Sequence, residues 1–177
     1  MKSVIAGSLI FLIILVTILA GCSSSSNNET PTVDFTFTTL DGQTKSLHDY
    51  YGKVIVLDLM GVNCQPCALQ MTQLKQIQTN YSENKVTIIS IDVWVSQGEN
   101  AALLQQYLEM YQQQVGIILN WTFGLDDTKG TIAHAYARNG VPALYILDTK
   151  GNIYYTHLGY DPYATLASKL DAVLTKT

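Results

Sequence analysis

The stretch Val54-Ile55-Val56-Leu57-Asp58-Leu59-Met60-Gly61-Val62-Asn63-Cys64-Gln65-Pro66-Cys67 decides the fold. Val54 to Met60 is a short run of β-branched and other apolar residues, the pattern of a strand covered on both faces of a sheet. Gly61 breaks the run. After Cys64 the period changes: Met71, Leu74, Ile77 and Tyr81 share one helical stripe, while Gln70, Gln73, Gln76 and Gln78 supply polar positions. An amphipathic helix therefore starts near Pro66, and proline suits a first turn because the N–H it lacks had no partner there. The two cysteines are set on a helix N-terminus at the carboxyl end of a central strand. There the helix dipole and free N–H groups stabilise a thiolate on the first cysteine, and the second lies one turn on, within reach of a disulfide. This arrangement suits thiol-disulfide exchange. The same spacing also serves as half of a zinc site, which needs two further ligands. His48, His134 and His157 are scattered and form no HxxxH pair, so neither a metal nor another cofactor is expected.

The full chain has 177 residues and a formal net charge of −4, one unit more negative without Lys2. A mildly acidic chain without basic clusters argues against nucleic acid as a partner. Residues Val4 to Ala20 are almost wholly apolar, follow Lys2, and end at Leu19-Ala20-Gly21-Cys22, a small-residue cleavage site. That tetrapeptide resembles the lipobox of secreted lipoproteins, which implies that Cys22 is lipidated and becomes the mature N-terminus. An uncleaved signal anchor is the alternative, since the segment approaches the roughly 20 apolar residues that span a bilayer. Either way the remainder is expected outside the cytoplasm on a membrane tether. The expected organisation is a signal peptide over 1–21, a flexible tether over 22–32 and one domain over 33–177. Ser23 to Pro31 is polar and aperiodic, as a spacer requires.

Within the domain, Phe35, Phe37 and Leu40 alternate, Asp41-Gly42 supplies a turn, and Thr44 to Leu47 returns, which predicts an N-terminal hairpin. Lys85 to Val95, with Val86, Ile88, Ile89, Ile91 and Val93, reads as a second buried strand, parallel to the first because a helix joins them. Ser96-Gln97-Gly98-Glu99 has capping-box spacing ahead of a helix carrying Leu103, Leu104, Tyr107, Leu108 and Tyr111 to about Gln114. A short strand over Trp121 to Leu125, a helix over Thr131 to Arg138, strands over Ala143 to Leu147 and Ile153 to Leu158, and a helix over Pro162 to Leu174 complete an α/β order.

Asp58 interrupts an apolar strand, and a carboxylate buried there without a partner costs several kcal/mol or is forced neutral. Exposure on a less buried strand is the plainer reading. His134 and His157 read as packing or surface residues, and Tyr154, Tyr155, Tyr160 and Tyr163 as core or client-facing residues.

The redox pair, the Val141-Pro142 step before a late strand and this β/α order resemble the thioredoxin fold, a central mixed sheet flanked by helices. More narrowly the chain resembles the TlpA-like, membrane-tethered thiol-disulfide oxidoreductases. The matching residues are Asp34-Phe35, Asp41-Gly42, Ser46-Leu47, Gly52-Lys53, Cys64-Gln65-Pro66-Cys67, Gly140-Val141-Pro142, and Asp148 with Gly151. The resemblance implies that Cys64 is the nucleophile, Cys67 the resolving cysteine, Pro142 a cis-proline facing them, and Asp58 a buried acid exchanging a proton with Cys67. Asn63, Gln65, Pro66 and Val141 would meet the client, although Asn63 stands where that family has tryptophan. The implied partners are extracytoplasmic clients with disulfides and a membrane protein that supplies thiol electrons, commonly in cytochrome c maturation. Gln65-Pro66 resembles the dipeptides of reducing members. Two other functions compete: a copper-binding chaperone, whose cysteines are typically separated by three residues and not by two as here, and a thiol peroxidase, which carries threonine or serine where Gly61 stands.

Overall fold

A computed structural model describes residues 33–176; the segments expected as signal peptide and tether, with Cys22, lie outside the described residues. The chain runs β1 (Thr36–Thr39), β2 (Thr44–Ser46), a 3-10 turn (Leu47–Tyr50), β3 (Val54–Met60), α1 (Gln65–Asn80), β4 (Val86–Asp92), a second 3-10 turn (Val95–Gln97), α2 (Ala101–Val115), β5 (Thr122–Leu125), α3 (Thr131–Tyr136), β6 (Ala143–Leu147), β7 (Ile153–Leu158) and α4 (Tyr163–Leu174). The strands form one sheet in the order β2-β1-β5-β4-β3-β6-β7. β3, β4 and β5 are mutually parallel, whereas β6 runs against β3, pairing Leu59 with Ala143 and Asp58 with Leu144.

All seven residues of β3 are buried, because the strand is central and covered on both sides. Val54 and Val56 pack with Leu74 and Ile77 of α1 and Leu166, Leu170 and Val173 of α4. Ile55, Leu57 and Leu59 point the other way, onto Phe37, Leu47 and Ile132. Strand alternation thus puts Asp58 and Met60 on the α1 side of the sheet. Met60 packs there with Cys64, Cys67, Met71, Leu104 and Phe123. Among the described residues no helix is long and apolar enough to cross a membrane.

Two local expectations are corrected. α2 is capped by Asn100, whose side chain accepts from Ala102 N and Leu103 N, so Ser96 to Glu99 is not its capping box. The serine instead lies in the 3-10 turn, and Glu99 turns back toward the sheet. α3 ends at Tyr136, two residues short of the expected Arg138, and the chain then crosses to the sheet through Gly140 at φ +121°, a backbone region that favours glycine.

Candidate active site

β3 ends at Met60, and residues 61–63 carry the chain to Cys64, the N-cap of α1. Cys64 and Cys67 form a disulfide. Cys67 N donates to Cys64 Sγ at 3.2 Å, so the first sulfur occupies the place of a capping acceptor at the positive end of the helix. In the reduced state the same N–H stabilises a thiolate there. Cys64 is 6 % exposed and Cys67 fully buried. Cys64, the expected nucleophile, is therefore largely enclosed.

Facing Cys64 is the start of β6. The Val141-Pro142 bond is cis, and Val141 O lies 3.8 Å from Cys64 Sγ across 77 residues of sequence. Pro142 O accepts from Gly159 N at 2.8 Å, which ties this loop to the end of β7. Gln65 and Pro66, between the two cysteines, are exposed, and Leu69, Leu158 and Tyr160 are exposed as well. Gln70 of α1 is buried and exchanges two hydrogen bonds with the Asp161 backbone, 2.8 Å to its N and 3.1 Å to its O. The redox helix and the β7–α4 loop are thereby fixed to each other.

Asp58 is fully buried, which rules out the exposed reading. Its Oδ2 accepts from the Ser90 hydroxyl at 2.9 Å, and Ser90 Oγ accepts from Trp121 Nε1 at 3.0 Å. Oδ1 has no hydrogen-bond partner among the described residues. Burial pushes the carboxyl up to about 7, partly opposed by the Ser90 hydrogen bond. Tyr107, close enough to feel the Asp58 charge, is itself raised chiefly by burial.

Of the residues that the sequence singles out, Cys64, Cys67 and the Val141-Pro142 step come together at one rim of the sheet, while Asp58 lies inside β3 with Ser90 as its hydrogen-bond partner. Sequence reasoning missed Glu99 and Asp92. Asp92 closes a buried strand as Asp58 interrupts one, a signal the apolar run of β4 concealed. Glu99 was legible only once Asn100 took the N-cap. Asn63, expected to meet a client, is exposed but has its amide group held by Glu99.

Gly61 stands where a thiol peroxidase is expected to carry threonine or serine. A Cβ on it would lie 2.4 Å from Trp94 Cε3, so the indole fills the space in which a threonine or serine would stand. Among the described residues no group of three or more His, Cys, Asp or Glu is placed to hold a metal ion. His134 is exposed on α3, and His157 Nε2 lies 3.2 Å from Tyr160 O.

The chain is 28 % identical over 138 residues to the thioredoxin-like protein YneN of Bacillus subtilis, covering 78 % of this chain and 75 % of that one. It is 24 % identical over 127 residues to the thiol-disulfide oxidoreductase ResA of Halalkalibacterium halodurans, with 72 % and 66 % covered. A thiol-disulfide isomerase from Corynebacterium glutamicum superposes with a TM-score of 0.66 at 20 % identity, over 84 % of this chain and 98 % of that one. The AhpC/TSA family model matches residues 29–156. With a redox disulfide at the N-terminus of α1 and a thioredoxin-like sheet behind it, the chain belongs to the AhpC/TSA family and is a thiol-disulfide oxidoreductase.

Proposed function

We propose that this oxidoreductase is a reductant of protein disulfides, held by a lipid on Cys22 at the outer face of the cell membrane. The observation that carries the redox reading is the Cys64–Cys67 disulfide facing Val141 at the N-terminus of α1. In the reduced protein the Cys64 thiolate attacks one sulfur of a client disulfide, and the client's second sulfur leaves as a thiolate. Cys67 then gives its proton to the Asp58 carboxylate and attacks Cys64 Sγ, which releases the other client sulfur and restores the disulfide. A membrane protein that passes thiol electrons outward would reduce the pair again. Apocytochrome c disulfides are the client class that the family resemblance brings forward.

The reducing direction follows from charge. An oxidant stabilises its reduced thiolate strongly, whereas Gln65-Pro66 brings no positive charge to Cys64 and Asp58 lies on the same side of the sheet as Cys67. The potential is expected below roughly −200 mV, nearer the value of about −270 mV for thioredoxin than that of about −120 mV for DsbA. Equilibrating the soluble domain with dithiothreitol or glutathione buffers measures it, and a value near the upper end reverses the proposed direction.

Anchoring has its own expected result. Cys22→Ala should release the protein from the membrane or leave it as an unprocessed precursor, read by fractionation and by fatty-acid labelling. Labelling that persists in the variant would place the lipid elsewhere.

A further inference from the structure

The segment after β4 reaches back to the redox loop, and the exchange chemistry above does not use it. Glu99 is 6 % exposed. Its Oε2 accepts from Val62 N at 2.7 Å, and its Oε1 from Asn63 N at 3.0 Å and Asn63 Nδ2 at 2.8 Å. In the same segment the Trp94 indole closes on Gly61. The three residues ahead of Cys64 are thus held from one side by two side chains.

Behind Glu99 stands Asp92, fully buried. Asp92 Oδ1 accepts from Trp94 N at 2.9 Å, while Oδ2 has no hydrogen-bond partner among the described residues. Asp126, at the end of β5, is the third carboxyl here. It is committed to Asp127 N, Ile132 N and Ala133 N at 2.8–3.0 Å. The Asp92 carboxyl lies within hydrogen-bonding reach of the Glu99 carboxyl, and two buried carboxyls so placed cannot both ionise cheaply. Both Glu99 oxygens face N–H donors, so the proton belongs on Asp92 Oδ2, where it also resolves the missing partner.

We infer that Glu99 is a positioning residue of the redox disulfide: paired with Asp92 through one shared proton, it fixes the Val62-Asn63 backbone and so the aim of Cys64 Sγ past Val141. The inference rests on Cys64 being the nucleophile. Hydrogen bonds from N–H groups to a carboxylate are roughly twice as strong as neutral ones, so this grip is firmer than a loop–loop contact. It also has an electrostatic side, since the Glu99 charge lies one residue from Cys64 and opposes its thiolate. Burial first, then Glu99 and Asp126, push Asp92 up to about 7, against the Trp94 N–H. As the pH rises through that value the pair gains its second charge and the opposition grows.

The test is the pH dependence of Cys64 alkylation by iodoacetamide, measured in a Cys67→Ser background, with the reduction of insulin by proteins retaining Cys67 as the client reaction. In Glu99→Gln the midpoint should fall by about half a pH unit, a roughly threefold gain in thiolate on the acid side. The insulin rate at high pH should drop severalfold while the iodoacetamide plateau stays put, because aim matters to a bulky disulfide and not to a small reagent. Asp92→Asn keeps the Glu99 charge and removes the shared proton, so the Cys64 curve should steepen to that of a single site. A Glu99→Gln curve and insulin rate that match the parent, with only a lower melting temperature, would show Glu99 to be structural and overturn the inference. If Glu99→Gln does not fold, an Asp92→Asn curve that superimposes on the parent overturns it instead. Failure of the unmodified protein to reduce insulin would count against the redox reading, and the alkylation curves judge the positioning role apart from it.

Discussion

Cys64→Ser is expected to abolish disulfide exchange, leaving insulin reduction at the rate of the free reductant alone. A serine hydroxyl at the same N-cap accepts the Cys67 N–H as well as sulfur does, so the helix keeps its cap and the fold survives. What disappears is the thiolate, the only species that attacks a disulfide. Cys67→Ser separates the two sulfurs. Cys64 can still attack, but nothing resolves the product, and a mixed disulfide with the client should accumulate on non-reducing gels. Full exchange by Cys64→Ser would remove Cys64 from the mechanism.

Asp58→Asn is expected to make the protein more stable and a slower enzyme. Burial holds the folded carboxyl at about 7, against an ordinary 3.8. The folded state therefore keeps a proton that the unfolded chain gives up, and stability falls as the pH rises from about 4 to about 7. The difference corresponds to about 4 kcal/mol once both states are ionised, by the relation of about 1.4 kcal/mol per pH unit. Asparagine has nothing to ionise, and its amide oxygen can accept the Ser90 hydroxyl. Urea denaturation should show no gain for the variant near pH 4 and a gain approaching that figure near pH 8. Exchange should slow by on the order of 100-fold at neutral pH, the typical worth of a positioned acid–base group. Unchanged exchange alongside raised stability would leave Asp58 as a buried liability with no part in proton transfer.

The strand-to-helix turn at the cysteines was legible because two periods meet there, a continuous apolar run and then a stripe of Met71, Leu74 and Ile77. Each is imposed by burial, which is why all three of those helix residues are fully covered. The Val141-Pro142 step could be placed only by resemblance, since nothing local in residues 141–147 says that they meet Cys64. That contact depends on a strand pairing over a long sequence interval. Glu99 was misread for a related reason. A glutamate three residues after a serine satisfies the local capping rule, and a local rule cannot register that Asn100 caps better or that two unpaired N–H groups wait at Val62 and Asn63. Asp58 stood out because a carboxylate in an apolar strand is conspicuous. Its partner Ser90, on β4, was not, and neither was Trp121 behind that serine, since both are distant in sequence.

The reversal of β6 against β3 has a consequence for how the chain can change length. β3 ends and β6 begins at the same rim, and the pairing of Leu59 with Ala143 sets their relative height. One residue advances a strand by about 3.3 Å, nearly the whole 3.8 Å between Cys64 Sγ and Val141 O. A single insertion between Met60 and Cys64, or between Pro142 and Ala143, would either carry the sulfur past its partner or turn alternate side chains onto the wrong face. The opposite rim is under no such constraint. There the exposed turn Ser82 to Lys85 joins α1 to β4, and extra residues can loop into solvent without moving either strand end. Descendants of this sequence are free to lengthen at one rim and bound to count residues at the other.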